Sequence, residues 1–179
     1  GGIADKIEEL NLEKADVYSV FLGTNDWWQG RPIGTLDDYK SNTGSNTLFG
    51  AYRIIIDKLR TLNASARIIL ITPMQRGDFV YIANMSNNAY GSYQEKNGQH
   101  LAQFAAAIRA LGDYEKLEVI DLYNANGMNQ EHMIKFKRLR NPDTEEFKDY
   151  PYPDYIGIPF DPETDDYPYP LDAIDITYD

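Results

Sequence analysis

The 179-residue sequence contains no cysteine, which excludes disulfide bonds, a thiol nucleophile and zinc–thiolate sites. The lack of cysteine does not indicate a cellular compartment. It also lacks an apolar run near the roughly 18 residues that a membrane-spanning helix needs, and it shows no signal peptide. The chain begins on Gly1-Gly2 without an initiator methionine. We therefore expect a piece of a longer protein.

Positive charge is scarce at one end of the chain. The net charge of −11 arises from residues 143–179, which hold 12 acidic residues and one basic residue, Lys148. Residues 1–142 hold 16 acidic and 16 basic residues. Because no basic stripe is present, the sequence excludes nucleic acid as a partner. A neutral body with an acidic tail also disfavours polyanionic substrates.

Apolar segments of two lengths alternate along the chain. The short ones predict strands, and those with apolar residues at helical spacing predict helices. This alternation predicts an α/β fold with a parallel sheet, right-handed crossovers and helices on both faces. Three strands are few for such a sheet, so we expect the fold to be incomplete. The predicted strands are 17–22, 67–71 and 117–122, and the predicted helices are 3–12, 46–62, 101–111 and, more briefly, 129–137.

The connecting segments are unusually long. Polar, glycine-rich loops are predicted over Thr24 to Gly44 and over Met74 to Asn97, and loops of this length in a compact domain are usually functional. Most prolines lie beyond Asn141, in Pro-Tyr repeats that favour extended backbone. We predict a single partial domain over 1–179, in which 141–172 is an inserted loop rich in proline, tyrosine and acidic residues.

The segment from Asp16 to Asp26 carries the strongest functional signal. A buried strand ends at Gly23, and three small polar residues follow it. In open α/β sheets, ligands bind outside the carboxyl ends of the strands. A nucleotide or flavin site would need a longer and less acidic phosphate loop. On residue types alone, a strand-to-helix turn with a helix N-cap remains an alternative.

The run VYSVFLGTNDWW, which holds Gly23 to Asp26, resembles the third conserved block, Gly-x-Asn-Asp, of the SGNH or GDSL-type esterases and acylhydrolases. The closing run AIDITYD is similar to the approach to that family's last block, Asp-x-x-His-Pro, and ends at its aspartate. The runs ILITPMQRGDF and VIDLY lie where later strands of that fold occur. The resemblance spans about residues 15 to 179 and implies a three-layer α/β/α fold with a parallel, flavodoxin-like sheet.

The resemblance also implies acyl transfer, in which a serine attacks an ester carbonyl, a histidine accepts its proton and an aspartate orients the histidine. Asn25 would donate a hydrogen bond to the oxyanion, and Asp179 would be the triad aspartate. Gly23 would let the backbone pass close under the substrate, and Asp26 would brace the loop or cap the following helix. No cofactor or metal is implied.

Three further residues could contact substrate. Trp27 and Trp28 follow the motif, so one of them could stack on a sugar or line an acyl pocket, with burial under the 24–44 loop as the alternative. Arg76 follows the second strand, at the edge where substrate would bind, and a local ion pair or turn role with its neighbour Asp78 is the alternative.

The chain also departs from the family pattern. No Gly-Asp-Ser block is present, the catalytic histidine would fall just after Asp179, and only Gly1 or Gly2 could end the second block. His100 and His132 lie on predicted helices without a serine at a recognisable spacing, so we interpret both as surface residues.

An acidic run, Asp161 to Asp166, could suggest a calcium site, since hard cations take clustered oxygen ligands. Its spacing matches no calcium loop and it holds no glycine, so a solvated acidic loop is the interpretation we favour.

We therefore expect a portion of a serine esterase that cleaves small acyl esters, with carbohydrate O-acetyl groups suggested by the aromatic composition. This portion is predicted to be inactive alone. The alternative is a non-catalytic binding or assembly module on a flavodoxin-like scaffold. An exposed edge at 17–22 would recruit a second copy or the missing segment of the protein. The resemblance slightly favours a periplasmic or secreted location.

Overall fold

The computed structural model describes residues 2–77, 91–125, 127–141, 143–156 and 158. The chain forms two compact units. The first comprises Gly1–Met74 with Glu95–Ala125, and the second comprises Gln75–Gln94 with Asn126–Asp179. The prediction of one partial domain with an insertion over 141–172 stays a prediction.

The first unit is built from alternating strands and helices, as the sequence predicts. Strand 67–71 is found with the predicted bounds, and the two long helices begin within two residues of theirs. The elements are β1 (Val17–Phe21), α1 (Thr24–Trp28), α2 (Leu36–Lys40), α3 (Leu48–Leu62), β2 (Arg67–Ile71), α4 (Leu101–Glu115), β3 (Glu118–Ile120) and α5 (Leu122–Ala125), with a 3₁₀ turn at Ala4–Lys6 before them.

The predicted helix over 3–12 is wrong, because the structure has only the 3₁₀ turn there. Ala4 and Ile7 are buried against the core, but Leu10 and Leu12 are exposed. A short helix is marginal in water unless its apolar face packs. Half of this face has no packing partner, so the helix does not extend.

The predicted loop from Thr24 to Gly44 contains two short helices. The second begins at a capping box, in which the Thr35 side chain accepts from the backbone of Asp38 while the Asp38 side chain accepts from the backbone of Thr35. Five-residue helices are too short to show an apolar period, and local capping rather than periodicity specifies α2.

The three strands of the first unit form a parallel sheet in the order β1-β2-β3. Val20 pairs with Leu70, which in turn pairs with Val119, so these side chains share one face of the sheet. That face belongs to the core into which α3 and α4 pack. The fold class is confirmed as α/β, with a parallel sheet and flanking helices.

The opposite face of this sheet carries several exposed apolar side chains. Phe21, Ile71 and Ile120 lie side by side on it. Phe21 is 48% exposed and Ile120 is 42% exposed, and Val17 on the same face is 52% exposed. Since right-handed crossovers between successive neighbouring strands put both connecting helices on one side, this second face receives neither α3 nor α4.

The second unit contains α6 (Gln130–Met133) and an antiparallel hairpin of β4 (Phe136–Arg140) and β5 (Phe147–Pro151). The helix predicted over 129–137 is therefore shorter, and part of the predicted 141–172 loop is a strand. A buried lysine explains the missed strand. Lys137 has no exposed surface and donates to the Ile158 carbonyl at 3.0 Å, so a charged residue occupies an inward position.

Candidate active site

The turn at the end of β1 requires glycine. Gly23 has φ +118°, a left-handed conformation that side chains rarely adopt. A Cβ atom there would also lie 3.3 Å from Pro73 Cγ and 3.4 Å from Ile108 Cδ1. Gly23 is the N-cap of α1 and its carbonyl accepts from Trp27 N–H at 3.0 Å. The strand therefore ends in a close-packed turn that directs the chain into α1.

Asn25 lies in the first turn of α1 and its residue is exposed. Its backbone carbonyl accepts from Gln29 N–H at 3.0 Å. In the part of the chain that the structure describes, no group accepts a hydrogen bond from its side-chain amide. The amide is consequently available to donate to a ligand. The structure does not use Asn25 as a helix N-cap, since Gly23 holds that position.

A cavity of about 380 Å³ lies in the first unit beside Asn25. Its size is near the lower end of the range for small-molecule sites, about 300–1,000 Å³. The walls are contributed by residues 2–10, the end of β1, α1 and α3. Asn25 and Asp26 both line it, so the structure brings these two predicted site residues together at one cavity.

Asp26 is half-buried in this wall. Burial raises the pKa of its carboxyl group, and the positive charge of Arg31 offsets part of that rise. The Asp26 carbonyl accepts from Arg31 N–H at 2.8 Å. On α3, burial and the nearby Asp26 carboxylate raise the pKa of Tyr52, whose hydroxyl donates to the Leu22 carbonyl at 3.3 Å. The cavity thus combines a partly desolvated carboxyl group with a neutral phenol.

The two tryptophans occupy different environments. Trp27 has no exposed surface and belongs to the core, which matches the burial alternative that the sequence left open. Trp28 is half-buried, with the Lys96 ammonium 4.2 Å from its ring centroid. Neither residue lines the cavity beside Asn25.

Arg76 does not line this cavity. Arg76 belongs to the second unit, where its backbone pairs with Ser92, and burial lowers the pKa of its guanidinium group. Asp179, Asp78 and the acidic run 161–166 lie outside the described residues. Among the residues that are described, no cluster of histidine and acidic side chains could hold a metal ion.

The two histidines lie at helices, as predicted. His100 is the N-cap of α4, and its Nε2 lies 3.2 Å from Glu95 Oε1. His132 is exposed on α6, and its Nδ1 lies 2.9 Å from the Gly127 carbonyl oxygen. Both side chains therefore have local partners.

Several cavity residues are missed by the sequence reasoning. Arg31 lies within the predicted loop from Thr24 to Gly44 and Tyr52 lies within the predicted helix 46–62, and neither position by itself indicates a cavity. Ala51 gives no signal in the sequence, although it lines the cavity from α3. Their shared location depends on how α1, α3 and the N-terminal segment pack.

The family model described as the GDSL-like lipase/acylhydrolase family matches residues 2–154. The chain belongs to this family. The predicted family is thereby confirmed, and it supports a hydrolase as the parent protein.

Solved structures include close and distant relatives of this GDSL-like domain. A possible lipase from Chitinophaga pinensis is 56% identical, with a TM-score of 0.87 over 99% of this chain and 69% of that chain. A protein from Lactobacillus plantarum is 21% identical, with a TM-score of 0.56 over 69% of this chain and 54% of that chain, and it supports the fold alone. No curated protein matches the chain.

None of the helices in the described ranges combines the length and apolar character needed to cross a bilayer.

Asp26→Asn should raise the thermal stability of the GDSL-like domain at pH 7. Because burial raises the folded-state pKa of Asp26 above its unfolded value, ionisation costs stability as the pH rises through that window. We expect the variant to melt at a higher temperature at pH 7, with the difference vanishing below the ordinary carboxyl pKa of about 4. Scanning calorimetry from pH 3 to 8 measures this difference in Tm.

The control for this prediction is Asp37→Asn, because the Asp37 side chain is 86% exposed. A lower Tm for Asp26→Asn at pH 7 would contradict the assignment.

Proposed function

We propose that the protein containing this chain is a serine ester hydrolase acting on small acyl esters, and that Asn25 donates its side-chain N–H to the oxyanion. The observation that supports this most strongly is the unengaged Asn25 amide at a ligand-sized cavity beyond the carboxyl end of β1. Ligand sites of open parallel sheets lie at this edge.

The proposed reaction follows the acyl-transfer scheme of serine hydrolases. A serine Oγ attacks the ester carbonyl carbon while a histidine accepts the hydroxyl proton. The carbonyl oxygen becomes an oxyanion, which accepts the hydrogen bond from Asn25. The intermediate collapses by releasing the alcohol with that proton, and water then hydrolyses the acyl-enzyme. Asp179 is proposed to orient the histidine.

The serine and histidine of this scheme are proposed to come from outside these 179 residues. The sequence contains no Gly-Asp-Ser run, and His100 and His132 have local partners. We therefore propose that the chain by itself is inactive and that it contributes the oxyanion donor and the substrate cavity.

A carbohydrate-linked acyl group is a second candidate substrate. The support is compositional, since aromatic residues make up 13% of the chain and aromatic faces stack on sugars. Trp28 is the more accessible of the two tryptophans next to the motif, because Trp27 is buried.

An assembly function is favoured by a separate observation. Among the described residues, β1 is an edge strand of the sheet, and the adjacent face carries exposed Val17, Phe21 and Ile120. Such edges recruit further strands. We propose that the β1 edge pairs with another segment of the same protein or with a second copy. Sedimentation velocity tests whether a second copy of the chain pairs with β1. A monomer at all protein concentrations would exclude this pairing.

The proposed hydrolase is tested with p-nitrophenyl acetate and a fluorophosphonate that labels reactive serines. The protein that contains this chain should hydrolyse the ester and become labelled, whereas the 179-residue chain should do neither. If the chain alone hydrolyses the ester at a rate that survives Asn25→Ala, the proposed mechanism is wrong.

A further inference from the structure

Two buried side chains pack against Gly23, the residue at which β1 turns into α1. Pro73 follows β2, and Ile108 lies on α4. Both lie so close to the turn that a Cβ atom at Gly23 would be 3.3 Å from Pro73 Cγ and 3.4 Å from Ile108 Cδ1. The position of the turn, and with it that of Asn25, therefore depends on where the end of β2 and the middle of α4 lie.

A carboxylate directly after β3 connects the chain neighbours of these two residues. Asp121 Oδ1 accepts from the Thr72 hydroxyl at 3.0 Å, and Thr72 directly precedes Pro73. Arg109, the residue after Ile108, donates from its Nη1 to both carboxylate oxygens, at 3.3 Å and 3.1 Å. One side chain thus holds both of the segments that pack against the turn.

The Asp121 carboxylate is fixed by further contacts. Asn124 Nδ2 donates to its Oδ2 at 2.8 Å, and the fully buried Thr72 hydroxyl accepts from Tyr123 N–H at 3.0 Å. Burial raises the pKa of Asp121, but the hydrogen bonds that it accepts and the charge of Arg109 outweigh this effect and lower the pKa below its ordinary value. The carboxylate is therefore ionised at neutral pH, and both of its oxygens are engaged within the first unit.

We propose that Asp121 is a positioning residue that holds the Gly23 turn in place and thereby aims the Asn25 amide at the oxyanion. The inference rests on the proposed function, because it needs Asn25 to be the oxyanion donor. It goes further by assigning a part in turnover to a side chain that does not line the cavity. Such a part is physically reasonable, since a displacement of about 1 Å at a reacting centre can cost about 10²-fold in rate.

The exposure of the ion pair favours this role over one in stability alone. The Asp121 side chain is 26% exposed and that of Arg109 is 37% exposed. Solvent screens an ion pair of this kind, so it should add little to the stability of the fold. We therefore expect loss of the ion pair to alter catalysis more than it alters the Tm.

The experiment is a double-mutant cycle in the parent protein with p-nitrophenyl acetate as substrate. Asp121→Asn removes the charge that holds Arg109 and keeps an oxygen that can accept from Thr72. We expect kcat to fall about tenfold while KM stays nearly unchanged. In the Asn25→Ala background the same substitution should change kcat by less than about twofold, because the donor that it positions is already absent.

Substitutions at Arg109 keep the test decisive if Asp121→Asn does not fold. Arg109→Met removes the same ion pair from the α4 side and should lower kcat by a similar factor, whereas Arg109→Lys keeps the charge and should retain most of the wild-type kcat. Asp57→Asn is the matched control. Asp57 also pairs with an arginine, Arg53, at 2.6 Å, but it lies on α3 away from the Gly23 turn and does not line the cavity. This variant should retain wild-type kcat.

Asn25→Ala on its own distinguishes failure of this inference from failure of the proposed function. If it lowers kcat but Asp121→Asn and Arg109→Met leave kcat unchanged, the positioning role is wrong. The role is also wrong if those variants lower kcat equally with and without Asn25, or if they lower only the Tm. If Asn25→Ala retains full turnover, the oxyanion role is wrong, and the positioning role is wrong with it.

Discussion

Asn25→Ala in the parent protein is expected to lower kcat for p-nitrophenyl acetate by about 10²–10³ while leaving KM nearly unchanged. The oxyanion carries its charge only in the transition state and the intermediate, so a donor aimed at it contributes little to ground-state binding. The Asn25 amide makes no hydrogen bond within the described part of the chain. Its removal should therefore affect catalysis rather than folding.

The matched control for this prediction is Asn46→Ala. Asn46 is also an exposed asparagine of the first unit, but it does not line the cavity. It should retain wild-type kcat and Tm. Steady-state kinetics and calorimetry on both variants separate the two roles. A rise in KM alone for Asn25→Ala would show a binding role, and a large fall in Tm would show a structural one.

Trp27→Ala is expected to destabilise the chain by about 3–5 kcal/mol, because it removes a large and fully buried side chain from the core. At this chain length the loss corresponds to a fall in Tm of about 6–20 °C. Chemical denaturation and calorimetry of the 179-residue chain measure it. The motif's position makes Trp27 a candidate for substrate contact, so the stability measurement decides between that role and a core role.

Trp28→Ala serves as the comparison. Trp28 is half-buried and loses its contact with the Lys96 ammonium, so about 1–2 kcal/mol is expected. If Trp27→Ala melts like wild type, the core assignment of Trp27 is wrong, and a surface position that could contact substrate is favoured instead.

The helices and strands that sequence reasoning predicts correctly are those that bury one continuous face. The apolar residues of α3 repeat at helical spacing because that face packs in the core, and β2 is a short apolar run because its neighbours pair on both sides. The helix α2 is specified by the capping box at Thr35, and the strand β4 carries a buried Lys137. Neither feature produces a periodic apolar pattern, so neither element is predicted from the sequence.

The candidate site likewise contains residues that a local motif identifies and residues that only the folded structure brings together. Gly23 and Asn25 lie within four residues of chain, so a motif can find them. The cavity beside them depends on Ala51 of α3 and on residues 2–10 meeting in space, which no local pattern encodes. The raised pKa of Asp26 likewise follows from tertiary burial rather than from its neighbours in sequence.

The proposed role of Asn25 is to stabilise the oxyanion formed from the ester carbonyl. The most direct test is inhibition of the parent protein by butylboronic acid, which forms a tetrahedral adduct with a catalytic serine. Because the adduct reproduces the oxyanion, its inhibition constant should rise in Asn25→Ala by about the same 10²–10³ factor as kcat falls. An inhibition constant within about threefold of wild type would contradict this role of Asn25.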